Sequence, residues 1–332
     1  MKKVFHLLGI TLLIFSVDSA SAQDENGHQH DRKRYDNFKE RTISKTYPAS
    51  GNKLNITNGF GDVKITTWDK NEISVNIHIE ASSDNKELAE KIFNAINVTD
   101  KQSGNEVSFK TENNQDNKGS DCKNCHSNMS IDYDIHMPAG NTLDIENSFG
   151  DITMPDYNGA VSLESKFGNL NTGKLNKVEK LDVEFGNATI KSLSGVDAVF
   201  KFSKINIDNL SGTNKIHAEF CGFMKLNLNT DLSGLSINES YSTVNLRPAS
   251  GLSASYDIKT SFGSVVDRAN VGIKRTDEPD KYGPDMDRQY EGKSGSGAAK
   301  IEGKSSFGKF IIGEATADEM KEKDKGKRTT NL

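Results

Sequence analysis

Residues 143–154 read Leu-Asp-Ile-Glu-Asn-Ser-Phe-Gly-Asp-Ile-Thr-Met, and a close copy, Leu-Asn-Ile-Thr-Asn-Gly-Phe-Gly-Asp-Val-Lys-Ile, runs from Leu54 to Ile65. Further copies centre on Phe167, Phe185, Phe202, Tyr241, Phe262 and Phe307, with a degenerate one at Phe220-Cys221-Gly222. The shared pattern starts from an aromatic residue, starting with Phe60 and Phe149, usually followed by glycine (Gly61, Gly150, Gly168, Gly186). Three positions on comes an apolar residue: Val63, Ile152, Leu170, Ala188, Ile205, Val244, Val265 or Phe310. Phe149, Phe167 and Phe185 are 18 residues apart. A fixed short period marks a repeat architecture and outweighs local propensity.

Within a copy the apolar residues alternate. Leu143, Ile145 and Phe149 share one parity and Asp144, Glu146 and Ser148 the other, the period of a strand with one buried face. An 18-residue unit is too short for a strand-helix-strand crossover with its loops. It suits one turn of a solenoid whose strands stack on the next turn, and strict phasing over three consecutive copies argues against an antiparallel sandwich. The sequence therefore predicts an all-β fold: a single-stranded right-handed β-solenoid of rungs of about 18–21 residues with one short capping helix. Aromatic would lie on aromatic about 4.8 Å apart. Glycine after the aromatic allows a bend or a close backbone approach, and Asp62, Asp151, Asn169 and Asn187 favour a corner.

Outward from the array, residues 1–22 have the form of a signal peptide: Lys2 and Lys3, an apolar run Val4 to Val17, and Ala20-Ser21-Ala22 as a cleavage site. This predicts export to the periplasm, the outer membrane or the exterior. No other stretch is long and apolar enough to span a bilayer. Residues 23–45 are polar and read as a flexible leader in which His28 and His30 are solvated tail residues. Residues 46–140 hold N-terminal strands and a short helix, 85–97, announced by the capping-box pattern Asp84…Glu87 and the apolar face Leu88, Ala89, Ile92, Phe93, Ile96. The repeats run over 141–313, interrupted at 267–296 by a Pro- and charge-rich excursion, and 314–332 form a charged tail. The net charge of −5 carries no nucleic-acid footprint.

The phrases Asn-Gly-Phe-Gly-Asp-Val-Lys-Ile, Asn-Ser-Phe-Gly-Asp-Ile-Thr-Met and Leu163-Glu-Ser-Lys-Phe-Gly-Asn-Leu170 resemble those of the putative-adhesin domain family of exported bacterial proteins. The resemblance covers about 45–313. It implies a β-solenoid and an envelope location, and it supplies no catalytic residues.

Three constellations bear on chemistry. Cys122-Lys-Asn-Cys125-His126 matches the attachment pattern for c-type haem, with His126 as proximal ligand and Met129, His136 or Met137 as the distal one. The same cysteines suit a local disulfide in an exported protein, or a Cys/His metal site. Glu146, Glu164 and Asp182 each precede an aromatic by three positions and would stack about 4.8 Å apart. Such a row could take Ca²⁺ or form a retaining-glycosidase pair, or be a solvated face relieved by Lys166 and Lys180. Cys221 reads as a small buried hydrophobe, and His78, His136 and His217 as isolated surface residues. No recognised catalytic signature is present. The sequence thus predicts a non-enzymatic, adhesin-like binding or structural protein of the envelope without a cofactor, its partner an envelope protein, a surface glycan or another copy. The alternatives are a carbohydrate-active enzyme and a haem protein.

Overall fold

The computed structural model describes residues 34–114, 122, 124–279 and 285–321. The signal peptide, His28 and His30 lie outside the described residues, as does the tail beyond 321. The chain opens with β1 (Asn37–Pro48), β2 (Lys53–Gly59), β3 (Val63–Thr67), β4 (Glu72–Ser83), α1 (Lys86–Ala95), β5 (Ile96–Ser103), β6 (Glu106–Asn113) and β7 (Ser127–Met137). The repeats supply β8 (Leu143–Ser148), β9 (Ile152–Met154), β10 (Tyr157–Lys166), β11 (Leu170–Glu184), β12 (Asn187–Ser194), β13 (Asp197–Lys201) and β14 (Lys204–Glu219). They continue through β15 (Met224–Ser240), β16 (Thr243–Pro248), β17 (Ala254–Ser261) and β18 (Ser264–Asp267). Last come β19 (Lys274–Arg275), β20 (Asp287–Ser294), β21 (Ala299–Ser306), β22 (Lys309–Ile312) and α2 (Ala317–Met320). The fold is all-β, and among the described residues 22 strands form one sheet.

Two parallel ladders organise it. Strand segments that lead into an aromatic, with β6 added at their start, pair in the order β6, β2, β8, β10, β11, β13, β14, β15, β21, β17. Segments that leave an aromatic, with β7 added at their start, pair in the order β7, β3, β9, β11, β12, β14, β15, β16, β22, β18. The long strands β11, β14 and β15 serve both. Parallel neighbours need a long return path; here the return path of each ladder is the strand of the other. Register keeps like on like. Ile56, Ile145, Leu163, Leu181, Ala198, Ile216 and Ile237 form one buried column, and Val63, Ile152, Leu170, Ala188, Ile205, Met224 and Val244 another. These columns are the core, and the period-two pattern anticipates them.

The turns between ladders stack through bonds from backbone N–H groups to side-chain carboxylates. Asp62 N–H donates to Asp132 Oδ1, Asp151 N–H to Asp62 Oδ1 and Asn169 N–H to Asp151 Oδ1, each at 2.8 Å. A Cβ on Gly150, Gly168 or Gly186 would fall 1.8–2.0 Å from the carbonyl oxygen of the preceding corner glycine. Close approach, not a left-handed backbone, is what these glycines provide. The left-handed residue is the aromatic before them.

The ends depart from the repeat. β5 adds antiparallel to β6, β4 adds antiparallel to β7, and β1 adds antiparallel to β4. Part of the stretch read as leader is therefore an ordered strand. Its polar sequence shows little periodicity because backbone pairing holds it, with Ile43 and Tyr47 as its inward contacts. α1 lies against β1, β4 and β7 and buries Ala89 and Ile92. Its N-cap is Asn85, whose side chain accepts from Leu88 N–H at 2.9 Å, and not Asp84, which is turned to His126. At the far end β20 pairs antiparallel with β17 and β19 with β20, so the excursion supplies strands. The last repeat does not close the array. β21 is inserted between β15 and β17, out of chain order.

Replacing Gly186 by Ala is expected to destabilise the protein by about 3 kcal/mol, because the methyl meets unyielding backbone. Gly59→Ala, where an added Cβ meets nothing within 4 Å, is expected to change stability by less than about 0.5 kcal/mol. Denaturant titration of the two variants checks the contrast.

Candidate functional site

Phe60, Phe149, Phe167, Phe185, Phe202, Phe220, Tyr241, Phe262 and Phe307 all have φ between 50° and 68°. For bulky residues this left-handed conformation is a true outlier. It turns each ring out of the parity it shares with Leu143 and Ile145, so the rings are not core residues but stand 39–54 % exposed at the corners. They stack in the order 60, 149, 167, 185, 202, 220, 241, 307, 262, with centroids 4.6–5.1 Å apart and planes within 7° of parallel. The result is a continuous ridge about 40 Å long. Its neighbours cover the ring faces, and the ring edges meet solvent. The exposed part of the nine rings amounts to about 700–1,000 Å², more than the patch a typical monomer leaves uncovered.

Beneath the ridge, the buried position two before a ring is polar towards the two ends of the stack (Asn58, Asn147, Ser165; Glu239, Ser305, Thr260) and apolar in its middle (Val183, Phe200, Ala218). Asn58 donates to Ile131 O and Asn147 Oδ1, and Asn147 donates to Gly61 O and Gly150 O, at 2.9–3.0 Å. Glu239 occupies the equivalent place higher up. It is 2 % exposed, and Oε2 accepts from Ser242 N–H at 3.1 Å. Oε1 has no hydrogen-bond partner and lies where a Cβ on Gly308 would stand. Burial pushes this carboxyl up to about 7. The sequence signal was an acid on the apolar parity, and sequence reasoning missed it. Cys221 is buried as expected. Its thiol lies 3.3 Å from Phe200 O, and burial pushes it up to about 11, which leaves it protonated.

Register sets Glu146 opposite Glu164 and Glu164 opposite Asp182. Both oxygens of Glu164 are taken, one by Lys166 and the other by Lys180 at 2.6 Å, and Lys180 also reaches Asp182 at 3.3 Å. These lysines hold the Glu164 carboxyl below its ordinary value. The residues just before the rings alternate in sign, Lys166, Glu184, Lys201, Glu219, and Lys201 pairs with Glu184 at 3.5 Å.

Cys122 and Cys125 are joined in a disulfide. The His126 backbone N–H donates to both Asp84 oxygens at 3.0 Å and its ring Nδ1 lies 3.1 Å from Oδ2, which together hold that carboxylate below its ordinary value, and the ring stacks near Tyr35. Of the distal-ligand candidates, Asn113 Nδ2 lies 3.7 Å from Met129 Sδ. His136 packs against Trp68, and Met137 is buried with Tyr157 Oη 3.8 Å from its sulfur. His78 is exposed, and His217 lies 3.1 Å from Glu219. Among the described residues one set of potential metal ligands converges within 4.8 Å: Glu40, His78 and Glu80. Arg34 already supplies a cation there, 3.0 Å from Glu40 and 3.5 Å from Glu80.

No family model and no curated protein matches this chain. Solved structures similar to it include a putative cell adhesion protein from Clostridium sporogenes, at 14 % identity over 83 % of this chain and 100 % of that one, with a TM-score of 0.27. A putative adhesin from Bacteroides fragilis is 10 % identical over 82 % of this chain and 97 % of its own, with a TM-score of 0.36. A putative lipid binding protein from Parabacteroides distasonis is 11 % identical over 84 % and 98 %, with a TM-score of 0.29.

Phe185→Asn is expected to cost about 1 kcal/mol less than Phe185→Val, because asparagine tolerates positive φ and a β-branched residue does not. Thermal or chemical denaturation of both variants decides this. For Glu239, folded and unfolded chains are both protonated at pH 4. As pH rises, the unfolded carboxyl ionises near its ordinary value of 4.5 while the folded one resists to about 7. Stability should therefore fall by about 3 kcal/mol between those values and level off above them. Glu239→Gln should remove this fall in a pH series of unfolding curves.

Proposed function

We propose that this chain is an exported, non-enzymatic binding or structural protein of the cell envelope, with the aromatic ridge as its working surface. Its scaffold is a single-stranded right-handed β-solenoid of rungs of about 18–21 residues. The observation that carries the reading is the ridge itself. Nine aromatic residues adopt a strained backbone and leave their edges in water. Each positive φ costs about 1–2 kcal/mol, and each stacked pair returns about 0.5–1.5 kcal/mol. An arrangement that brings so little net stability is supported by what it presents, namely a rigid apolar line flanked by charge.

The signal-peptide pattern over residues 1–22 supports export. Among the described residues no helix is long and apolar enough to cross a membrane. Between the two partner classes, the geometry favours an apolar protein surface over a glycan, because sugars stack on ring faces and these faces are covered by neighbouring rings. The enzymatic alternative has less support. Glu164, the acid best placed for it, is neutralised by two lysines and lowered, whereas a general acid needs a raised carboxyl.

The test is a triple substitution, Phe149→Asn, Phe167→Asn and Phe185→Asn, compared with the unmodified chain in binding to a solubilised envelope fraction. Loss of three central anchors is expected to weaken binding by at least about a hundredfold while circular dichroism stays unchanged. Undiminished binding would remove the ridge from the function. Turnover of any polysaccharide that Glu164→Ala abolishes would replace this reading with the enzymatic one.

A further inference from the structure

We propose that the partner of the ridge is a second copy of this chain, docked antiparallel about a two-fold axis that passes between the rungs of Phe185 and Phe202. The proposal rests on the reading that the ridge is the working surface, and it names the occupant.

Area is the first argument. The exposed rings offer about 700–1,000 Å² per chain, close to the roughly 800 Å² that each partner contributes to a stable interface. The ridge is periodic, so the ring edges of one copy can meet those of another rung for rung at the same 4.6–5.1 Å repeat. A two-fold axis makes the contact isologous and closed, so it yields a dimer rather than a fibre.

Charge selects the register. An antiparallel two-fold lying in the interface sets each flanking row against the same row of the other copy, in reverse order. With the axis between Phe185 and Phe202, Glu184 faces the partner's Lys201 and Lys166 faces the partner's Glu219. Ser148 then faces the partner's Ser240. On the other flank Asp62 faces the partner's Lys309, a residue that also holds Glu319 within its own chain. Asn187 faces the partner's Lys204, and neither flank opposes two like charges.

The two registers half a repeat away fail this requirement, and those one full gap away match only one pair of opposite charges in the row before the rings, against two here. Moving the axis onto Phe202 sets Lys201 against itself and Glu184 against the partner's Glu219. Moving it onto Phe185 sets Glu184 against itself and Lys166 against the partner's Lys201. A parallel two-fold along the ridge would oppose Lys201 and the partner's Lys204. Like charges brought together at a partly buried contact oppose association, and this selects among otherwise equivalent registers of a periodic surface.

Lys166 and Glu219 provide the test, because three rungs separate them within one chain and they meet only across the proposed axis. Sedimentation equilibrium of the purified chain is expected to show a reversible dimer. Lys166→Glu and Glu219→Lys, measured singly, should each weaken it by about tenfold, since two contacts per dimer change from attraction to repulsion. An equimolar mixture of the two variants should recover the unmodified affinity, because every contact in the mixed dimer again joins opposite charges. A merely structural role for either residue would not produce this recovery. A chain that stays monomeric at all concentrations overturns the proposal, as does a dimer that neither variant weakens. If the monomer still loses its envelope partner in the triple Phe→Asn variant, the ridge reading stands and only the dimer falls. A dimer indifferent to the triple variant overturns both.

Discussion

The distance between paired strands, about 4.8 Å, governs this molecule. At a corner the backbone leaves the sheet plane, and adjacent corners must still keep that spacing. Two local conditions make this possible. The residue at the turn adopts positive φ, and over most of the array the residue after it carries no side chain to strike the corner below. Where glycine is missing, the substitute is small and bonded: Ser203 Oγ donates to Lys201 O, the Cys221 thiol lies near Phe200 O, and Ser242 Oγ donates to Ser240 O. The ladders, the buried columns and the exposed ring stack all follow from corners kept at strand spacing.

The aromatic occupies the position where glycine or asparagine would be least strained. Glycine there would relieve the backbone and remove the ring. The chain keeps the ring at every rung, including the rung inserted out of order, where Phe307 falls between Tyr241 and Phe262 without interrupting the stack. Stacking offsets part of the backbone cost. It does so only while the rings are in line, so the ridge is rigid by the same interaction that makes it continuous.

Much of this was legible in the sequence because the signals are short-range and repeated. Alternation gave the buried columns through Leu163 and Ile205, and the recurrence of Phe149, Phe167 and Phe185 gave the stacking. What was not legible depends on a torsion or on a distant partner. Parity alone assigns Phe149 to the core, and only its φ reveals that it points outward. The strand Asn37–Pro48 has a polar composition and is held by its pairing with β4, a long-range contact that leaves no periodic trace. The insertion of Ala299–Ser306 between β15 and β17 cannot be read from repeats that all look alike, since each copy fits every slot. Glu239 was overlooked for the converse reason: it sits in a slot that Asn58 and Asn147 fill with neutral amides, and one acid among them is invisible without its burial.

A periodic surface has a difficulty that an irregular one lacks. Any partner that fits one rung fits the next, so apolar contact along the ridge fixes a line of approach and not a register. Specificity has to come from what breaks the period. Here that is the row beside the rings, where glycine and serines at the end rungs (Gly59, Ser148, Ser240, Ser306, Ser261) give way to Lys166, Glu184, Lys201 and Glu219 at the centre. Four alternating charges on four successive rungs read the same after reversal with sign exchanged. They are placed symmetrically about the gap between Phe185 and Phe202. The neutral rungs on either side leave the apolar contact uninterrupted, while the central charges decide where it can settle. The apolar line therefore contributes the area of association, and the charged row determines its alignment.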